Sequence, residues 1–268
     1  MKFNFSTIEI FGASVPIYGI MCVIGIFFAC LVAILLATKK QKIEFFDFTL
    51  DAITTLLSAF AGAKLLFLIV SWSDVVTVFK TLPFLEAFNL VLKSGFVFYG
   101  GLIGGAIGLF TALKVQKKDF FKTVDIYAVV LPLGHAFGRI GCFFSGCCYG
   151  MPYDGWLSFT YTTALDPATP IGVPLLPVQL IEAALLFALF GVLLFCYLKF
   201  PNKRGVCSLI YASGYAVMRF ILEFFRYDAE RGGFLGLSTS QWISVAIIIA
   251  AVTWIIISIV KKKKQKQA

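Results

Sequence analysis

Seven windows of this sequence, residues 15–37, 52–70, 96–115, 124–141, 178–198, 206–225 and 238–260, are long and apolar enough for a helix of about 20 residues to cross a bilayer. Hydrocarbon offers the backbone no water to bond, so a stretch of this length must close its hydrogen bonds on itself, as a helix does. Composition agrees, since 60% apolar residues, 14% charged residues and a mean hydropathy of +0.92 exceed what a soluble core of this size could bury. The expectation is an all-α integral membrane protein with seven transmembrane helices, forming a single polytopic membrane domain over 1–268. Residues 1–12 mix Lys2, Asn4, Ser6 and Glu9 among apolar residues ahead of a run of about 23, longer than a signal-peptide core, so the first window reads as a retained span.

Lysine and arginine set the expected orientation. Fifteen of the 23 lie after windows 1, 3 and 5 and at the C-terminus; five (Lys2, Lys80, Lys93, Arg226, Arg231) lie on the opposite side; Lys64, Arg139 and Arg219 lie inside windows. The positive-inside rule then places the N-terminus outside and the C-terminus in the cytoplasm. The net charge of +9 sits in short clusters between apolar runs, which is a topology signal and not a nucleic-acid footprint. Two connections on the outer side are long, 71–95 and 142–177. The second carries no Lys or Arg, has prolines at 152, 167, 170, 174 and 177, and contains turn pairs such as Asp154-Gly155 that argue against another helix. Within it, 156–162 reads as a short strand or an interfacial segment.

The densest chemistry is in 133–150, LGHAFGRIGCFFSGCCYG, which holds the only histidine, Arg139, three of the seven cysteines and five glycines. An arginine at membrane depth costs at least about 2.5–3.5 kcal/mol on insertion scales, so Arg139 requires an anionic or polar partner. His135 and Arg139 share a helix face at four-residue spacing. Gly134, Gly138 and Gly141 leave room for a backbone or a ligand. Arg219 and Glu223 are also four apart, which permits an internal ion pair or an arginine oriented toward a ligand. Gln179 and Glu182 open the fifth window, where the helix dipole alone would favour them. Two intramembrane arginines on different helices suggest a phospholipid phosphate, which guanidinium grips through paired hydrogen bonds. Lys64 is either a third cation for it or a snorkelling lysine.

Six fragments then fall in a recognisable order: Pro16-Ile17-Tyr18-Gly19, Tyr99-Gly100-Gly101-Leu102-Ile103-Gly104, Gly138-Arg139-Ile140-Gly141, Pro177-Val178-Gln179-Leu180-Ile181-Glu182, Arg219-Phe220 with Glu223-Phe224-Phe225-Arg226, and Leu237-Ser238-Thr239-Ser240-Gln241. Over nearly the whole chain this resembles the bacterial prolipoprotein diacylglyceryl transferases. The resemblance implies a multi-pass protein of the bacterial cytoplasmic membrane that moves the diacylglyceryl group of phosphatidylglycerol onto the lipobox cysteine of a preprolipoprotein. Glycerol phosphate would leave, and neither cofactor nor metal would be needed. Arg139 and Arg219 match the family's essential arginines and Tyr18 its first-span tyrosine. Gly100, Gly101, Gly138, Gly141, Gln179, Glu182, Glu223 and Arg226 are the expected substrate-binding set.

The chain also departs from that pattern. Tyr99 stands where the family has the histidine often assigned as base, and Cys142-Phe143 and Ser145-Gly146-Cys147 replace Asn-Phe and Asn-Gly-Glu. A phenol with a pKa near 10 is a poor base at neutral pH. His135 is the other candidate base, or else a hydrogen-bonded structural residue. A non-catalytic or transport-type paralogue that keeps the phospholipid site is the alternative. Cys142, Cys147 and Cys148 could make a metal, disulfide or reactive-thiol site, but their spacing matches no common zinc pattern, so no metal is expected.

Overall fold

The computed structural model describes every residue except Met1, Asn4, Phe5, Phe11, Pro201, Asn202, 228–232 and Ala268, so Arg231 of the outer charge count lies outside the described residues. In chain order the elements are β1 Lys2–Phe3, β2 Thr7–Ile10, β3 Ala13–Pro16, α1 Ile17–Leu35, α2 Phe45–Val70, α3 Trp72–Thr81, α4 Phe84–Lys93, α5 Phe98–Val115, α6 Phe120–Ser145, β4 Phe159–Tyr161, β5 Pro174–Leu175, α7 Val178–Lys199, α8 Val206–Leu222, β6 Gly233–Phe234, β7 Leu237–Ser238 and α9 Thr239–Gln267. The protein is mostly helical, with short strands ahead of α1 and in the segments between later helices. Among the described residues, six helices are long and apolar enough to cross a membrane; the helix of the third window, apolar over Tyr99–Val115, is shorter.

The chain divides into two compact units, one of Met1–Leu35 with Val124–Ala268 and one of Leu36–Thr123. In the smaller unit α2 starts at Phe45, seven residues before the second apolar window. Polarity at Asp47 and Asp51 hid that extension, but Asp51 is fully buried and accepts from Lys118 Nζ at 2.8 Å and Gln116 Nε2 at 2.6 Å. A partnered carboxylate costs far less than a bare one, so the helix runs through it. The 71–95 connection forms two short amphipathic helices, α3 and α4, divided at Leu82-Pro83.

Lys64 is neither a spare cation nor a snorkelling side chain. It donates to the carbonyls of Val91, Leu92 (3.3 Å) and Ser94 (2.9 Å), capping the C-terminal end of α4, and lies 4.9 and 5.0 Å from the Phe67 and Phe96 ring centres. A cation there meets both unsatisfied carbonyls and the negative end of the helix dipole.

Helices α2 and α5 of this unit pack backbone to backbone. A Cβ on Gly104 would press on the Ser58 carbonyl and sit 3.0 Å from Gly62 Cα, and one on Gly100 would press on the Gly62 carbonyl and sit 2.6 Å from Leu66 Cβ. Gly100, Gly104 and Gly108 recur at four-residue spacing, which aligns them on one face of α5.

In the larger unit, Gly25 lets α1 approach α6: a Cβ there would be 2.8 Å from Phe137 Cβ and 3.0 Å from the Gly134 carbonyl oxygen. Helix α6 spans 26 residues and tolerates Pro132 in its interior. Asp125, buried within it, accepts from Gly205 N at 2.6 Å and from Ser208 N and Oγ at 2.8 and 2.6 Å. Asp125 therefore supplies from another helix the N-terminal cap that α8 lacks in its own sequence.

The 142–177 connection is folded. Strand β4 pairs with β5 in antiparallel register, Phe159 opposite Leu175, and with β1 in parallel register, Phe3 opposite Tyr161. Beneath them Phe143, Tyr149, Phe159, Tyr161 and Leu175 form a buried cluster. Ser145 O accepts from Leu165 N and Asp166 N at 3.1 and 3.2 Å, which satisfies a terminal carbonyl of α6.

Candidate functional site

In the larger unit α6, α7, α8 and α9 bring the intramembrane charges together. Arg139 of α6 finds its required partner in Glu182 of α7, with Nε and Oε1 3.0 Å apart and Glu182 only 1% exposed. That pair is close but not aligned as a hydrogen bond. Arg219 of α8 pairs with Glu223 at 2.7 Å through Nη2, which also donates to Ser240 Oγ of α9 at 3.3 Å. Its other terminal nitrogen, Nη1, is buried with no hydrogen-bond acceptor among the described residues. A buried guanidinium donor of this kind is uncommon, and it has the chemistry to receive an anionic oxygen.

The two arginines act in one electrostatic neighbourhood. Glu182 lies within reach of both, Arg139 is within hydrogen-bonding reach of the Tyr215 hydroxyl, and His135 feels both guanidiniums. The His135 and Tyr215 rings are 5.3 Å apart at their centres, and Tyr211 stacks on Tyr215 at 6.1 Å. The Arg219–Glu223 pair matches the four-residue spacing. The Arg139–Glu182 pair had no local signal, because its partners are 43 positions apart on different helices.

The remaining sequence candidates separate into groups. Tyr18, 44% exposed, packs on Gly141, where a Cβ would meet its ring at 3.0 Å and its carbonyl oxygen at 3.2 Å. Around Gly138, by contrast, nothing lies within 4 Å of an added Cβ. Gln179 Nε2 donates to Cys147 O at 2.8 Å and reaches the Tyr161 hydroxyl at 3.4 Å, so it holds the turn after α6. Arg226 bridges Gly150 through its backbone, and its charge acts on Arg219 and Cys148. Tyr99, 42% exposed, Gly100 and Gly101 belong to the smaller unit; Gly100 faces Gly62, and a Cβ on Gly101 would sit 3.4 Å from Ala63 Cβ.

Tyr215, Ser240 and Tyr161 also contact these residues. The Tyr161 phenol is pushed above its ordinary pKa, chiefly by burial, and donates to Phe143 O at 2.8 Å. Cys142, Cys147 and Cys148 converge at the end of α6, their sulfurs all within 4.8 Å of one another. The Cys148 thiol is pushed well below its usual range, first by hydrogen bonds from Cys142 and Cys147 and then by Arg226 and Arg139.

Comparison with known proteins gives this arrangement a family. The profile described as prolipoprotein diacylglyceryl transferase matches residues 6–257. The phosphatidylglycerol–prolipoprotein diacylglyceryl transferase 2 of Clostridium perfringens is 34% identical over 259 residues, 96% of each chain. The similarly named transferase of Clostridium tetani is 35% identical over 91% of this chain and 93% of its own, and that of Dehalococcoides mccartyi is 30% identical over 94% and 91%. With a family profile across almost the entire sequence and paired arginines on α6 and α8, this chain belongs to the prolipoprotein diacylglyceryl transferase family.

Proposed function

We propose that this protein transfers the diacylglyceryl group of phosphatidylglycerol to the lipobox cysteine of a prolipoprotein. The sulfur attacks the diacylglyceryl carbon that bears the phosphate ester, that carbon–oxygen bond breaks, and glycerol phosphate departs with the negative charge. The observation that carries this reading is the buried, unpartnered Arg219 Nη1 beside the Arg139–Glu182 pair. Arg219 and Arg139 grip the phosphate and stabilise the charge that develops on it. Glu182 and Glu223 hold the guanidiniums in place when the site is empty. Open space at Gly138 admits the glycerol backbone, while Tyr18 and Gly141 line the same side. Within the larger unit the thiol proton goes to His135; Tyr99, the other candidate base, belongs to the smaller unit.

Purified protein in phosphatidylglycerol proteoliposomes, given a lipobox peptide, tests this. Diacylglyceryl peptide and glycerol phosphate should form in equal amounts. No transfer by the wild-type chain would instead favour a lipid-binding paralogue without catalysis, a reading supported by Tyr99 in the family histidine's place.

The same proposal includes seven spans, α5 being the seventh, in the cytoplasmic membrane of a bacterium with the N-terminus outside. Eighteen residues of α5 rise about 27 Å, just short of the bilayer core of about 30 Å. Reporter tags at Lys39–Lys40 and at the C-terminus should read cytoplasmic, and one at Pro167 should read outside. A protease-accessible C-terminus on intact cells would invert the orientation.

A further inference from the structure

The cysteines at the end of α6 are unused by the transfer reaction. We infer that Cys142, Cys147 and Cys148 form a three-thiolate site for a thiophilic d10 cation, Zn²⁺ or Cu⁺. Their sulfurs lie within 4.8 Å of one another, and all three residues are partly buried. Metal–sulfur bonds of about 2.3 Å require sulfurs roughly 3.8–4.0 Å apart, so the cluster needs to contract by about 1 Å at most. A disulfide requires about 2.05 Å and would use only two of the three.

The backbone is held in the shape that makes this cluster. After Ser145 the chain reverses through Gly146 at φ 84° and Cys148 at φ 59°. The left-handed region is unfavourable for a residue with a Cβ, yet cysteine occupies it where glycine would be relaxed. Gln179 pins the Cys147 carbonyl at 2.8 Å and Thr169 Oγ1 the Gly146 carbonyl at 3.2 Å, so one ligand's carbonyl and that of the glycine before it are anchored by residues outside the reversal. Spacing alone gave no metal pattern because the cysteines meet across a helix end and a reversal, not in a regular knuckle.

Charge fits as well. All three sulfurs bind as thiolates, any thiol protons passing to solvent, and the product, one Zn²⁺ or Cu⁺ with three thiolates, is an anion of charge −1 or −2. Arg139 and Arg226 both act electrostatically on Cys148 and would balance it. Three sulfurs complete a trigonal Cu⁺ site; Zn²⁺ would add a water.

The test is independent of lipid transfer. Full-length protein in detergent, purified reduced and without chelators, is titrated with Zn²⁺ and separately with Cu⁺ against a competing chelator. Metal content, Co²⁺ charge-transfer absorption and maleimide labelling of each cysteine are recorded. One equivalent should bind, with all three cysteines protected together. Cys147→Ser and Cys142→Ser should lose the equivalent, Cys196→Ser should keep it, and Gln179→Ala should weaken binding about 10–100-fold. The relative affinities identify the ion. If a serine variant fails to fold, wild-type protection still decides. Labelling unchanged by either metal, or a Cys142 disulfide to Cys147 or Cys148 in metal-free protein, overturns the inference.

Discussion

Arg219→Ala should lower the rate of diacylglyceryl transfer by roughly 10²–10³, the usual cost of removing one donor aimed at developing charge. Arg219→Lys should fail nearly as badly, because an ammonium cannot replace both arms of a planar guanidinium that already commits Nη2 to Glu223 and Ser240. Arg139→Ala needs a control, since it strands the buried Glu182 carboxylate at a cost of about 3–5 kcal/mol. Arg139→Ala combined with Glu182→Gln removes that stranded charge; if the double variant recovers stability but not transfer, the arginine serves the reaction. Transfer at the wild-type rate by Arg219→Ala, measured in phosphatidylglycerol proteoliposomes, would rule out the phosphate clamp.

Gly104→Val should abolish stable accumulation of the protein. Its side chain would be driven into the Ser58 carbonyl and the Gly62 backbone, and backbone on both helices cannot move aside as a flexible side chain can. Overpacking of ordinary cores costs about 1–3 kcal/mol, and a backbone clash exceeds that range. Gly138→Ala makes the opposite case: nothing lies within 4 Å of the new methyl, so thermal stability should hold or rise by up to about 1 kcal/mol. If glycerol occupies that space, the same variant should raise the KM for phosphatidylglycerol. Two glycines that look alike in sequence are thereby separated by melting temperature and KM. A Gly104→Val protein as stable as wild type would refute the packing of α2 on α5.

The sites of legible and illegible features differ in a consistent way. Windows of apolar residues located the helices because the period of a span is written locally. A helix runs past its apolar window where a charge is partnered at a distance, as at Asp51 with Lys118 in α2. The Arg219–Glu223 pair was readable at four-residue spacing, whereas Arg139 with Glu182 required knowing that α6 meets α7. Gly100 and Gly101 stood in a motif that suggested substrate, and the fold sets Gly100 against Gly62 to bring two helices into backbone contact.

By itself, the sequence determined that this is a polytopic helical membrane protein, that it must find partners for Arg139 and Arg219, and, by its ordered motifs, to which family it is similar. These follow from the cost of charge in hydrocarbon and from patterns that repeat along a helix. Tertiary structure alone decided which carboxylate balances which arginine, that Lys64 caps α4, that Asp125 caps α8, and that three cysteines share one small volume. Each is a contact between separate elements, set by helix packing and chain reversal, and neither leaves a trace in the spacing of residues along the chain.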